Sequence, residues 1–215
     1  MDERTPIDLS GIIDEIAVPD IRSALSDFSG SRQKSKEDLF AEHQRKGWDK
    51  SVEARCDFTR RVRITRRSGM FFLSIWQKSI MGRTLTDIKG DESMVPFFAE
   101  EVAALIKDII GECLTKGAWC IVTTPKRRHT IRNFATLISM DIAQRLHIPF
   151  YEDVCSCHTR QRVNAEFTVN VVPWEQNIIC FDDFVTTGQT LASMKRAFEP
   201  HYKNMIFFCG INNKL

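Results

Sequence analysis

Residues 178–190, Ile-Ile-Cys-Phe-Asp-Asp-Phe-Val-Thr-Thr-Gly-Gln-Thr, constrain the fold of this chain more than any other stretch. Four apolar residues in a row predict a buried strand, and two adjacent carboxylates, Asp182 and Asp183, predict where it ends. The turn Thr186, Thr187, Gly188, Gln189, Thr190 follows, and then Leu191, Met194 and Phe198 at helical spacing. A strand feeding a helix in this way is a building unit of α/β sheets, whose ligands bind at the carboxyl edge. The chemistry gathered at that edge suits a phosphorylated sugar. Backbone N–H groups, hydroxyls and the positive helix end can receive a phosphate. The carboxylates can hold ribose hydroxyls directly, or through Mg²⁺, which prefers hard oxygen ligands.

Other phosphate motifs fit the run badly. A Walker loop needs a lysine before its Ser/Thr, and Gly188-Gln189-Thr190 has none. A dinucleotide fingerprint needs three spaced glycines, and this turn has one. Taken singly, Asp-Asp is often a polar exit from a sheet, and Thr-Gly turns cap many ordinary helices. The full run is the restrictive feature.

Elsewhere strands and helices alternate. Residues 95–114 predict a helix with Phe98, Val102, Leu105, Ile109 and Ile110 on one face. Residues 118–122 predict a short strand, and 133–146 a second helix carrying Phe134, Leu137, Ile138, Ile142 and Leu146. Residues 149–154 and 205–209 predict two more strands. This alternation implies crossover connections and a mainly parallel sheet. Ahead of it, residues 61–76 form a predicted hairpin turning at Arg66-Arg67-Ser68-Gly69. The expected organisation is an N-terminal helical or irregular extension over residues 1–60 and an α/β domain over 61–215. Within the extension, 14–25 suggests a helix interrupted at Pro19, and 37–45 one capped by Ser35.

Bulk properties exclude some functions. A net charge of +2 does not make the whole molecule a nucleic-acid binder, so basic clusters are judged one by one. The arginines of residues 60–67 fit a solvated strand face or an anion-binding surface, with no interleaved aromatics to favour RNA. No apolar run reaches the 18 or so residues of a membrane span, the acidic start Met1-Asp2-Glu3 is unlike a signal peptide, and a cytoplasmic protein is expected. The seven cysteines are scattered, and Cys155-Ser156-Cys157-His158 lacks zinc-site spacing, so neither disulfides nor a structural metal is expected.

Two basic segments complete a possible anion site. Lys126, Arg127 and Arg128 follow the predicted strand 118–122, where a pyrophosphate group could be met; a solvated loop is the alternative. Arg160 and Arg162 lie in a polar stretch before the 178–190 run. That stretch suits a hairpin closing over a ligand and clamping pyrophosphate oxygens, or an exposed hairpin with scattered charge.

The run 178–190 closely resembles the signature of type I phosphoribosyltransferases, which bind phosphoribosyl pyrophosphate (PRPP). Residues 85–215 look like the ComF branch, which is linked in bacteria to DNA uptake. They carry Lys89-Gly90-Asp91, Pro125-Lys126-Arg127-Arg128, Arg132-Asn133-Phe134, the set Arg160, Gln161, Arg162, Asn164 and Phe167, and the signature, in that order. Two departures stand out: Arg132-Asn133-Phe134 replaces Arg-Gly-Phe-Asn, and the N-terminal cysteine ribbon of many members is absent. The resemblance implies a Rossmann-like three-layer α/β/α fold and transfer of the phosphoribosyl group to a small nitrogenous acceptor, with release of pyrophosphate. It implies that Asp182 and Asp183 hold ribose hydroxyls or Mg²⁺, that residues 186–190 cradle the 5′-phosphate, and that Lys126, Arg127 and Arg128 meet the pyrophosphate. Hypoxanthine–guanine members place an acid where this chain has Thr186, which argues against a 6-oxopurine acceptor. A PRPP-sensing regulator or a nucleic-acid accessory protein are the alternatives, and a homodimer is left open.

Overall fold

The apolar runs condense into one sheet with helices on both faces. A computed structural model describes residues 54–125, 133–157 and 166–214, so the expected helices at 14–25 and 37–45 lie outside the described residues. In chain order the elements are β1 (Arg55–Cys56), β2 (Arg63–Arg67), β3 (Met70–Gln77), β4 (Arg83–Thr84) and the short helix α1 (Leu85–Gly90). Then follow α2 (Val95–Ile110), α3 (Cys113–Lys116), β5 (Trp119–Thr123), α4 (Phe134–Leu146) and β6 (Phe150–Tyr151). The chain continues through β7 (Cys155–Cys157), β8 (Phe167–Val169), β9 (Asn177–Val185), α5 (Gln189–Phe198) and β10 (Asn204–Asn212).

The main sheet has six strands in the order β2-β3-β10-β9-β5-β6. Every neighbouring pair is parallel except the β2–β3 hairpin. That hairpin turns at Ser68 and Gly69, with φ of 50° and 78°, the positive pair that suits strand twist. β9 lies at the centre because its residues are apolar on both sides, as strands covered on both faces require. Ile179 and Phe181 join one core with α2 and α4, through Phe98, Val102, Ile106, Ile138 and Ile142. Ile178 and Cys180 join the other with α5, through Leu191, Met194 and Phe198. The result is a three-layer α/β/α arrangement with a mainly parallel sheet, as the alternation of elements predicts.

The helices depart from expectation where single residues interrupt them. Gly111 adopts φ 56° and ends α2 at Ile110, so the predicted helix 95–114 becomes α2 and the one-turn α3. The buried stripe of α2 runs through Phe98, Val102, Leu105, Ile106 and Ile110, while Ile109 is half exposed. The helix expected over 133–146 starts one residue later, at Phe134, and Asn133 is its cap, the side chain accepting the Ala135 N–H at 3.0 Å. The predicted strand 149–154 shortens to β6, because Asp153 takes φ 52° and the chain turns into a separate β7–β8 antiparallel pair. Residues just ahead of 61 pack on this body too: Ala54 and Cys56 are buried in its core, and Phe58 sits 5.5 Å from Trp76, ring to ring.

The largest difference concerns the signature strand. It does not end at the two acids: β9 runs on to Val185, paired with β10 as far as Asn212. The pairing also changes face there. Phe181 and Phe208 belong to the α2/α4 core, yet so do Phe184 and Ile211, three residues further on in each strand. Both strands therefore lose their two-residue alternation at the same level, Asp183 beside Gly210. Gly210 is required there. A Cβ at this position would stand 2.9 Å from both the Asp183 carbonyl oxygen and Phe98 Cε1. Phe98 cannot withdraw, since its ring packs 4.7 Å from Trp76 and 5.3 Å from Phe134. We expect Gly210→Ala to destabilise the fold by about 1–3 kcal/mol, the usual range for overpacking. Urea unfolding should show a lower midpoint at unchanged m value.

Candidate functional site

The site is built where β5 and β9 reach their carboxyl ends. Thr123 pairs with Phe181, which brings the next residue, Thr124, beside Asp182. The buried Thr124 hydroxyl donates to Asp182 Oδ1 at 3.3 Å. Asp183 points to the opposite face, as neighbouring strand residues do, and meets Lys89. Lys89 Nζ stands 3.0 Å from Asp183 Oδ2 and 3.3 Å from Oδ1, and lies 4.7 Å above the Phe184 ring. Asp183 Oδ1 also accepts the Phe184 N–H at 2.8 Å. Lys89 is delivered by α1, which Thr84 starts by accepting the Asp87 N–H at 3.1 Å. Arg83 holds the far end of α1 through Asp91 at 2.9 Å.

Two adjacent acids thus differ in their electrostatics. Asp183 is buried but has an ammonium and a backbone N–H as partners. Asp182 has the Thr124 hydroxyl and a backbone N–H, that of Asp183, but no ammonium in contact. Burial raises the Asp182 pKa to about 7, and the neighbouring Asp183 charge adds to this while Lys89, Thr124 and the Asp183 backbone N–H pull against it. For Lys89, burial lowers the pKa, but the charge and hydrogen bond of Asp183, with Asp182 behind it, outweigh burial and hold it above the ordinary lysine value. Asp182 is the group in want of a cation or a hydroxyl partner.

The turn after β9 supplies the second half. Gly188 takes φ 78° and ψ 1° and stands at the N-cap of α5, a helix end without a side-chain cap. Thr186 and Thr187 are exposed. Thr186 Oγ1 accepts from Asn213 Nδ2 at 3.2 Å, and Thr187 Oγ1 accepts the Gln189 N–H at 3.4 Å. The hairpin turn packs against this loop, Arg67 Nη1 donating to the Thr186 carbonyl at 2.7 Å and Ser68 Oγ to the Thr187 carbonyl at 2.9 Å. Lys195 and Arg196 sit in the last turn of α5, where positive charge suits the helix dipole.

Asp182, Asp183 and residues 186–190 therefore belong to one edge of the sheet. Lys126, Arg127, Arg128, Arg160 and Arg162 lie outside the described residues, between Pro125 and Asn133 and between Cys157 and Glu166. Of the 60–67 arginines, Arg60 meets Glu101 at 2.9 Å, Arg61 meets Asp57 at 3.9 Å, and Arg66 lies 5.7 Å over Phe71. Sequence reasoning did not single out Thr124, Arg67 or Ser68 as site residues, and it noted Lys89 only as part of a motif. Thr124 had a signal, as a hydroxyl directly after an apolar strand. Lys89 had none, being 94 positions from Asp183.

No protein-family model matches the chain, and no curated protein matches it. Among solved structures, it is similar to an orotate phosphoribosyltransferase from Aeropyrum pernix, at 16% identity over 74% of this chain and 75% of that one, with a TM-score of 0.39. A hypoxanthine phosphoribosyltransferase from Staphylococcus aureus is 12% identical over 63% of this chain and 76% of its own, with a TM-score of 0.40. An adenine phosphoribosyltransferase from Saccharomyces cerevisiae is 14% identical over 70% and 83%, with a TM-score of 0.38. At such distances the chemistry has to be argued from this chain's own residues.

Two predictions concern the acids. A carboxyl whose folded pKa is raised binds more protons folded than unfolded, so its contribution to stability is full below about pH 4 and is lost as pH rises through about 7. The stability of the unmodified chain relative to Asp182→Asn should therefore fall across pH 4–7, read by urea midpoints at each pH. Lys89→Met strands the Asp183 charge and should cost about 2 kcal/mol, less than a fully buried pair because Lys89 is half exposed. Adding Asp183→Asn should recover part of that loss in a double-mutant cycle.

Proposed function

We propose that the protein binds PRPP with Mg²⁺ and transfers its phosphoribosyl group to a small nitrogenous acceptor, releasing pyrophosphate. One observation carries the reading. A single strand-turn-helix places an under-compensated carboxylate, a neutralised carboxylate and an uncapped helix N-terminus in succession. A sugar phosphate presents the matching groups, hydroxyls for the acids and an anion for the helix end. In this reading the acceptor nitrogen forms its bond to C1′ while the C1′–O bond to pyrophosphate breaks, the electron pair leaving with pyrophosphate. Asp182 and Asp183 receive the ribose hydroxyls, the N–H groups of residues 186–190 receive the 5′-phosphate, and Lys126, Arg127, Arg128, Arg160 and Arg162 face the pyrophosphate. Stabilising the leaving charge and the positive charge spread over C1′ is the main catalytic contribution.

The residues suit Mg²⁺ in one respect. Asp182 is a hard oxygen ligand without a full counter-charge, whereas Asp183 already has Lys89. In this reading the cation is shared between the Asp182 carboxylate and substrate oxygens, as Mg²⁺ at phosphate substrates commonly is. When bound, Mg²⁺ would neutralise charge on the pyrophosphate. The motif order favours a ComF-type branch. Thr186, whose hydroxyl accepts from Asn213, offers no carboxylate to a purine, which argues against a 6-oxopurine acceptor and leaves the acceptor open. Among the described residues no helix is long and apolar enough to cross a membrane.

Calorimetry should detect PRPP binding that strengthens with Mg²⁺. Asp182→Asn combined with Asp183→Asn should weaken it roughly a hundredfold, about 2.7 kcal/mol. Absence of heat at millimolar PRPP would sink the proposal. Pyrophosphate release across a panel of nitrogenous bases separates an enzyme from a PRPP sensor.

A further inference from the structure

The β2–β3 hairpin turn touches the proposed phosphate loop from behind, and the contact is made by donors. Arg67 Nη1 donates to the Thr186 carbonyl at 2.7 Å and Nη2 to the Lys214 carbonyl at 3.1 Å. Ser68 Oγ donates to the Thr187 carbonyl at 2.9 Å. In a trans peptide the carbonyl and the following N–H point in opposite directions. Fixing the carbonyls of Thr186 and Thr187 toward the hairpin therefore turns the N–H groups of Thr187 and Gly188 to the other side of the loop. That orientation is what an anion-binding nest of backbone amides requires.

The loop has little freedom to do otherwise. Gly188, with φ 78°, lies so close that a Cβ there would stand 3.1 Å from Arg67 Cβ. Behind Arg67, the chain after β10 is fastened to the same loop: the Asn213 N–H donates to the Val185 carbonyl at 2.8 Å, and Asn213 Nδ2 to Thr186 Oγ1 at 3.2 Å. Arg67 is thus the joint between the hairpin, the phosphate loop and the segment that follows β10. Its guanidinium also stands behind the peptide it holds, a fixed positive charge on the far side of an anion site.

We propose that Arg67 is a positioning residue for the 5′-phosphate loop, with Ser68 as its lesser partner. It acts through the Thr186 and Thr187 peptides and does not itself contact the ligand. The inference rests on the PRPP reading of the site, and its specific content is selectivity between the two ends of that ligand. Loss of Arg67 disorganises the phosphate loop and leaves the pyrophosphate end untouched.

The test uses the full chain and three probes: ribose 5-phosphate, PRPP, and inorganic pyrophosphate with Mg²⁺. Arg67→Met should weaken ribose 5-phosphate and PRPP by about tenfold or more, since a small misplacement of binding groups has effects of that order. Pyrophosphate does not use the Thr186 and Thr187 peptides in this reading, and its affinity should stay within a factor of about two, the spread expected for uncoupled groups. Arg67→Lys keeps the charge and a donor but not the fork, and should fall between the two. Ser68→Ala should weaken ribose 5-phosphate by about threefold, the worth of one neutral hydrogen bond. It carries the test alone if Arg67→Met loses its near-ultraviolet circular dichroism. Unchanged ribose 5-phosphate affinity in the folded variants, or equal loss of all three probes, overturns the proposal. Failure of the unmodified chain to bind any probe at millimolar concentration overturns the PRPP reading, and this inference with it.

Discussion

Everything at the site follows from placing two adjacent carboxylates inside the ladder of the central strand. A charge placed in a covered sheet has little water to turn to, and the two side chains leave the strand on different sides, so one counter-charge serves mainly the nearer of them. Asp183 is met on the α2/α4 side by Lys89 at 3.0 Å. Asp182, on the side where Thr124 donates at 3.3 Å, has that hydroxyl and the Asp183 backbone N–H, with Lys89 further off. The neighbouring chain adapts as well. Beside Asp183, β10 carries Gly210, because a side chain there would strike the Asp183 backbone and the Phe98 ring. The loss of alternation in both strands at this level is the geometric record of the same constraint.

Much of the fold was legible because its signals are local. Runs such as Ile178 to Phe181 and Trp119 to Val122 read as doubly covered strands, and Asn133 announced the start of α4. What was misread depended on partners far along the chain. Asp182-Asp183 looked like a strand end because charge usually marks one. β9 continues because β10 pairs with it as far as Asn212. The short β6 and the break at Gly111 depend on single residues, Asp153 and Gly111, adopting positive φ. Aspartate gives no warning of that, and a glycine within a helical pattern gives only a weak one.

The site divides in the same way. The signature run contains its acids and its loop in thirteen consecutive residues, so sequence alone assembled them. The groups that set their chemical state come from elsewhere: Lys89 from α1, Thr124 from the end of β5, Arg67 from the hairpin. In the sequence Arg67 was one of several arginines of a strand expected to face solvent or an anion. Its neighbours Arg60, Arg61 and Arg66 do have surface partners, and Arg67 differs only because the turn lays it on two carbonyl groups.

The asymmetry of the acids bears on how the site can work. A pair of equal, fully ionised carboxylates would repel each other and the phosphates of an incoming ligand. Here Lys89 neutralises one, and burial holds the other near the point where it gains or loses a proton at neutral pH. Asp183 is therefore fixed in position, fit to orient a hydroxyl. Asp182 can accept a hydrogen-bond donor or a cation by releasing a proton, so binding of a positively charged group at Asp182 is linked to proton release below about pH 7. The loop behind Gly188 carries no such variable charge. Its contribution is orientation, imposed by the hairpin on peptides that cannot choose their direction. One end of the site is thus tuned by electrostatics and the other by backbone geometry, which matches a ligand with a sugar at one end of the edge and a phosphate at the other.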